Sequence, residues 1–69
     1  MRVGESATGE IAAEYVDRGG QSQYLIETDQ GELLVVPKAA DMDFDRGDEV
    51  EVTRTEAGYD IAGDYGYGR

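Results

Sequence analysis

Apolar and polar positions alternate along the 69-residue chain in short runs separated by turn residues. Residues 9–15 put Ile11, Ala13 and Tyr15 on one face and Glu10, Ala12 and Glu14 on the other, the period of a half-buried strand. Asp17-Arg18-Gly19-Gly20 breaks that run, and residues 23–28 form a second, with Tyr24 and Ile26 on one face and Leu25 and Glu27 on the other. Asp29-Gln30-Gly31 supplies a hairpin turn, because Asp bonds nearby amides and Gly takes the positive φ of a bulged loop. Residues 32–36, Glu-Leu-Leu-Val-Val, are apolar on both faces, which predicts the central strand of the sheet, and Pro37 ends its ladder. Across residues 38–45, Ala39, Met42 and Phe44 fall at near-helical spacing and predict a helical or 3₁₀ turn plugging one end of the core. After the turn Arg46-Gly47-Asp48, residues 49–54 point Val50 and Val52 inward and Glu49, Glu51 and Thr53 outward. Thr55-Glu56-Ala57-Gly58 forms another hairpin loop, and Tyr59-Asp60-Ile61 opens the last strand.

Five short strands without a long helical pattern predict an all-β fold, a small barrel or strongly bent sheet. A three-strand meander, a helical turn between the third and fourth strands and a closing hairpin define a five-stranded OB-like barrel over residues 1–62. The alternative is a Src-homology-type small barrel, whose corresponding 3₁₀ turn usually falls before the last strand. Through its Gly9-led first strand, residues 31–37 and the stretch Arg46-Gly47-Asp48-Glu49-Val50-Glu51-Val52, the chain resembles OB-fold and cold-shock-like domains over roughly residues 3–62. That resemblance implies binding of single-stranded RNA or DNA on the face of the second and third strands and in the flanking loops. The chain departs from the pattern in offering no aromatic residue between Gly31 and Met42, and only Lys38 as a base there.

Composition changes the picture in two ways. With no Cys and no His, the chain has no thiol nucleophile, disulfide, haem or zinc ligand set and no Ser-His-Asp triad, and its small size also argues against an enzyme and a cofactor. Sixteen Asp plus Glu against six Lys plus Arg give a formal net charge of -10, yet 39% of the residues are hydrophobic and the acids are dispersed, as in a folding domain. Dispersed acids with a single Lys resemble proteins of extremely halophilic archaea, whose molar salt shortens the Debye length to about 3 Å and removes most of the self-repulsion. No apolar run follows Arg2 as in a secretory signal, and the run Leu33 to Val36 is far too short to span a bilayer; the expected location is cytoplasmic, away from membranes.

The candidate nucleic-acid contacts are Arg18, Tyr24, Lys38 and Arg54, with Tyr65, Tyr67 and Arg69 in the expected flexible Gly/Tyr/Arg tail of residues 63–69. Each has a plainer reading. Tyr15, Tyr24 and Tyr59 fall on inward faces and read first as core aromatics, Phe44 as the core plug, and Arg18 and Arg54 as partners of neighbouring carboxylates. Asp41, Asp43 and Asp45 open like an EF-hand loop, but Arg46 and Val52 stand where that loop needs Gly and Glu, which leaves at most a weak cation site. Arg46-Gly47-Asp48 reads as a turn. Two functions follow as expectations: a module for single-stranded nucleic acid, or a protein-interaction or assembly domain that pairs through a strand edge, as a monomer or weak homodimer.

Overall fold

The computed structural model describes residues 2–63, so the candidates Tyr65, Tyr67 and Arg69 lie outside the described residues. The described chain is all-β: β1 (Ser6–Val16), β2 (Ser22–Thr28), β3 (Leu33–Pro37), β4 (Glu49–Thr55) and β5 (Gly58–Gly63). They form one antiparallel sheet in the order β3-β2-β1-β4-β5. β5 runs through Gly63, the residue at which the tail was expected to begin. None of the described residues forms a helix long and apolar enough to cross a membrane.

β1 joins the β1-β2-β3 meander to the β4-β5 hairpin. Residues 6–10 pair with β4, residues 9–16 pair with β2, and Gly9 and Glu10 pair on both sides. A Cβ on Gly9 would lie 2.7 Å from the Glu27 carbonyl oxygen and 3.1 Å from Thr28 Cα, so only glycine lets the two strands approach this closely. Two residues later the register slips. Ile11 faces Ile26 but Ala13 faces Leu25, leaving Ala12 as the extra residue of a β-bulge.

That bulge corrects one sequence expectation. Strict alternation puts Tyr15 beside Ile11 on the inner face, but one inserted residue exchanges the faces of everything after it. Tyr15 thus pairs with Gln23 on the outer face and is 43% exposed, while Glu14 pairs with the buried Tyr24.

The inner face carries the core, Ile11, Tyr24, Ile26, Val36, Val50 and Val52, with Leu34, Met42, Phe44, Tyr59 and Ile61 packed against it. The predicted helical turn after β3 is absent. Met42 donates to the Ala39 carbonyl (3.0 Å) and Asp48 to that of Asp45 (3.0 Å), two tight turns around an extended stretch. Two side-chain links hold that stretch extended. Phe44 N–H donates to Tyr24 Oη (3.0 Å), the Tyr24 hydroxyl donates back to the Phe44 carbonyl (3.2 Å), and the two rings meet edge-on at 6.0 Å. Met42 and Phe44, two residues apart, face the core together from an extended backbone, which a helical turn would not allow.

β3 also departs from expectation, being an edge strand and not a central one. Its second apolar face is uncovered, with Leu33 63% and Val35 50% exposed, and Pro37 is tolerated because no further strand needs its missing N–H.

Two measurements check these points. Gly9→Ala is expected to cost about 1–3 kcal/mol in denaturant unfolding through the clash with backbone on β2; an unchanged midpoint would contradict the close approach. Glu27, Glu10 and Glu49 stand directly opposite one another across three strands, so Glu10→Gln is expected to stabilise by roughly 0.5 kcal/mol in ~0.1 M salt. That gain should shrink in ~2 M salt as screening removes the repulsion.

Candidate functional site

The structure separates the described candidate residues. β1 runs from Ser6, opposite Thr53 of β4, to Val16, opposite Ser22 of β2, so its two ends mark opposite ends of the sheet. Arg18 lies in the loop after β1 and is exposed. Lys38 follows β3 at the same end, where Gln21 Nε2 donates to its carbonyl (3.3 Å). Arg54 lies near the other end of β1, beside the β4-β5 hairpin.

Most of these groups are already engaged. Tyr24 has no exposed surface, because its ring and hydroxyl are both tied to Phe44, so it offers no platform on which a base could stack. Lys38 Nζ donates to Glu14 Oε2 at 3.0 Å and stands 5.6 Å above the Tyr24 ring, so the ion pair covers that end of the core. The Glu14 hydrogen bond is the main cause that raises the Lys38 pKa above its ordinary 10.5. Arg54 Nη1 donates to the Gly58 carbonyl at 3.0 Å and its guanidinium lies 5.1 Å from the centre of the Tyr59 ring, which staples the hairpin. Arg18 alone of the described candidates combines exposure with freedom from any hydrogen bond or ion pair among the described residues.

Asp17 organises the loop that carries Arg18. Its Oδ1 accepts from the Gln21 and Gly19 amides, each at 2.9 Å, and its Oδ2 from Gln23 Nε2 at 2.9 Å. These donors, the Gln21 amide foremost, lower its pKa below the usual 3.8. Asp41, Asp43 and Asp45 are exposed, and no group of three or more potential metal ligands exists among the described residues. An open hollow of about 590 Å³ lies beside the first half of β1, lined by Glu5, Ser6, Ala7, Thr8, Asp29, Gln30 and Glu32. It sets the carboxylates of Glu5, Asp29 and Glu32 beside the hydroxyls of Ser6 and Thr8, and Ser6 Oγ shares a hydrogen bond with Thr53 Oγ1 at 2.8 Å.

The surface that sequence reasoning missed is the outer face of the meander. Cross-strand neighbours share a face, so Tyr15, Gln23 and Pro37 form one row and Ala13, Leu25 and Val35 the next. A third row runs Leu33, Glu27, Glu10 and Glu49, where the apolar surface gives way to carboxylates. Over β4 and β5 the outer face continues as Glu51, Thr53 and Asp60. The outside of the sheet is thus uncharged over β3, the end of β1 and residues 23–25 of β2, turns acidic at Glu27, Glu10 and Glu49, and mixes Glu51 and Asp60 with Thr53 and Ala62 over β4 and β5. The signal for it was present in residues 32–36, whose apolar second face required a cover that the described residues do not supply.

The free edge of β3 continues this patch. Thr28 N–H donates to the Glu32 carbonyl (2.8 Å) and Lys38 N–H to the Ser22 carbonyl (2.9 Å), which fixes the even-numbered residues of β3 as those bonded to β2. Leu33 and Val35 therefore point their N–H and C=O groups away from the sheet, and Pro37 its carbonyl alone. The same residues present their side chains to the outer face.

No family model, curated protein or solved structure matches the chain. Function has to be read from this geometry.

The Asp17 loop gives a pH test. A depressed native pKa means the contribution of Asp17 to stability is fully present above 3.8 and is lost as pH falls through the lower native value. Asp17→Ala is expected to be less stable than the parent chain at neutral pH, with the difference closing below that window. The Gly19 and Gln21 amide shifts should titrate below pH 3.8 in the parent chain; a midpoint above 3.8 would contradict the hydrogen-bond account.

Proposed function

We propose that the chain is a non-enzymatic interaction module of OB-like architecture, working in a salt-rich cytoplasm and binding another protein through the outer face and free edge of its meander. The observation that carries this reading is the continuity of the apolar row Ala13-Leu25-Val35, and of Tyr15 and Pro37 flanking Gln23 in the next row, with edge groups of Leu33 and Val35 that no described residue pairs. In a chain with a net charge of -10, an uncovered apolar sheet face beside an open edge offers both side-chain burial and backbone hydrogen bonds. The strand order supports the OB-like reading, since β1 is shared between a meander and a hairpin and β3 and β5 lie at the two ends. The in-register row of Glu27, Glu10 and Glu49 supports the salt-adapted reading, because such a row is tolerated best where charge is screened.

Binding of single-stranded RNA or DNA is the second reading, favoured by the same strand order and by exposed Arg18 three residues beyond exposed Tyr15. It is weaker, because counterion release needs several cations on phosphate and the other described candidate cations, Lys38 and Arg54, are committed to Glu14 and to Gly58 and Tyr59.

Sedimentation of the chain in a salt-rich extract of its own cells separates the two. The expected result is a species heavier than the 7.5 kDa chain that survives nuclease and disappears in Val35→Lys, whose fold is checked by its amide spectrum. Sedimentation at the mass of the free chain would overturn the interaction reading, and collapse on nuclease treatment would replace it with the nucleic-acid one.

A further inference from the structure

We propose that the partner contributes an extended segment that adds as a sixth strand to the edge of β3 left open among the described residues, carrying apolar side chains on its outer face and, on that same face at the Leu33 end, a Lys or Arg. The inference rests on the interaction reading above and names the chemistry of the occupant.

Three observations combine. The edge offers N–H and C=O groups at Leu33 and Val35 and a carbonyl without an N–H at Pro37, so an incoming strand gains its ladder bonds at Leu33 and Val35 and loses one donor at Pro37. Every second residue of such a strand points to the outer face, beside the exposed Leu33 and Val35, which selects apolar side chains there. At the Leu33 end stand the carboxylates Glu32, next in the chain, and Glu27, directly opposite Leu33 on β2, with Glu10 beyond. A cation on the outer face of the incoming strand at that end meets carboxylates that pair with no cation among the described residues, whereas an anion meets repulsion from them and from the chain as a whole.

The same charges make a second copy of the chain the poorer occupant. Antiparallel pairing of two β3 edges about Leu34 would set Leu33 against Val35 and satisfy both edges. It would also bring two chains of net charge -10 together, and the one cation it carries toward Glu32, the second copy's Lys38, is already bonded to Glu14. A basic strand satisfies the edge and neutralises its rim.

The test titrates the full ¹⁵N-labelled chain in ~0.5 M KCl with the peptide Lys-Thr-Val-Thr-Val-Thr-Arg, whose basic and apolar side chains share one face of a strand, and, separately, with the peptide in which Glu replaces both basic residues. Expected are shifts and slowed hydrogen exchange at the Leu33 and Val35 amides, with the basic peptide binding at least threefold tighter. In Glu27→Gln/Glu32→Gln that preference should fall toward unity. Equal affinity of the two peptides would overturn the basic partner and leave the edge reading standing. Concentration-dependent β3 shifts without peptide would also overturn it, by making a second copy the occupant. Peptide-induced shifts confined to other surfaces, or none, would overturn the edge-pairing proposal, whereas the interaction reading falls only with sedimentation at the mass of the free chain.

Discussion

The backbone of β1 between Gly9 and Ala13 is the constraint on which the rest of the structure depends. Gly9 sits where a side chain would strike the Glu27 carbonyl, so β1 can pair closely with β2 and β4 at the same point. The extra residue Ala12 then exchanges inner and outer faces within one strand. Before the bulge Ile11 enters the core; after it, Glu14 takes the inward position and Tyr15 the outward one. Without that exchange Glu14 would not reach Lys38 above the Tyr24 ring, and Tyr15 would not sit in a row with Gln23 and Pro37.

The surface follows from the same event. A core of six fully buried side chains is small, and the chain strengthens it with polar ties at its ends: Tyr24 to the Phe44 backbone, Lys38 to Glu14, Arg54 to the hairpin. These ties take up most of the described candidate cations and the buried aromatic ring. Besides the exposed Arg18, what remains uncommitted is the largely apolar surface of β3, the end of β1 and Leu25 of β2, bordered by glutamates. The division between an apolar half and an acidic half is the physical basis for reading the domain as a docking module, with electrostatics choosing the partner and apolar area holding it.

Much of the fold was legible in the sequence, because period-two patterns report one-sided burial directly. The strand positions, the hairpin turns and the inward Val50 and Val52 follow from alternation and turn chemistry alone. The departures arise where tertiary contacts override local pattern. No residue type announces a bulge at Ala12, so the face of Tyr15 could not be read locally. The helical spacing of Ala39, Met42 and Phe44 was outweighed by two hydrogen bonds from a tyrosine twenty residues away. Residues 32–36 showed two apolar faces, but composition cannot distinguish a strand buried on both sides from one left open for a partner. Of the candidate site, Arg18 was legible as an exposed loop cation, whereas the apolar patch required the register.

Solvent exposure of the two tyrosine rings tests the central claim most directly. In an NMR spectrum of the folded chain with a soluble gadolinium chelate, the account predicts strong broadening of the Tyr15 ring and none of Tyr24, with Tyr15 showing contacts to Gln23 and Pro37. A protected Tyr15 ring with contacts to Ser22 and Tyr24 would mean that β1 alternates without a bulge, since the Ile11-Ile26 register then sets Tyr15 opposite Ser22, and would contradict the account of both faces.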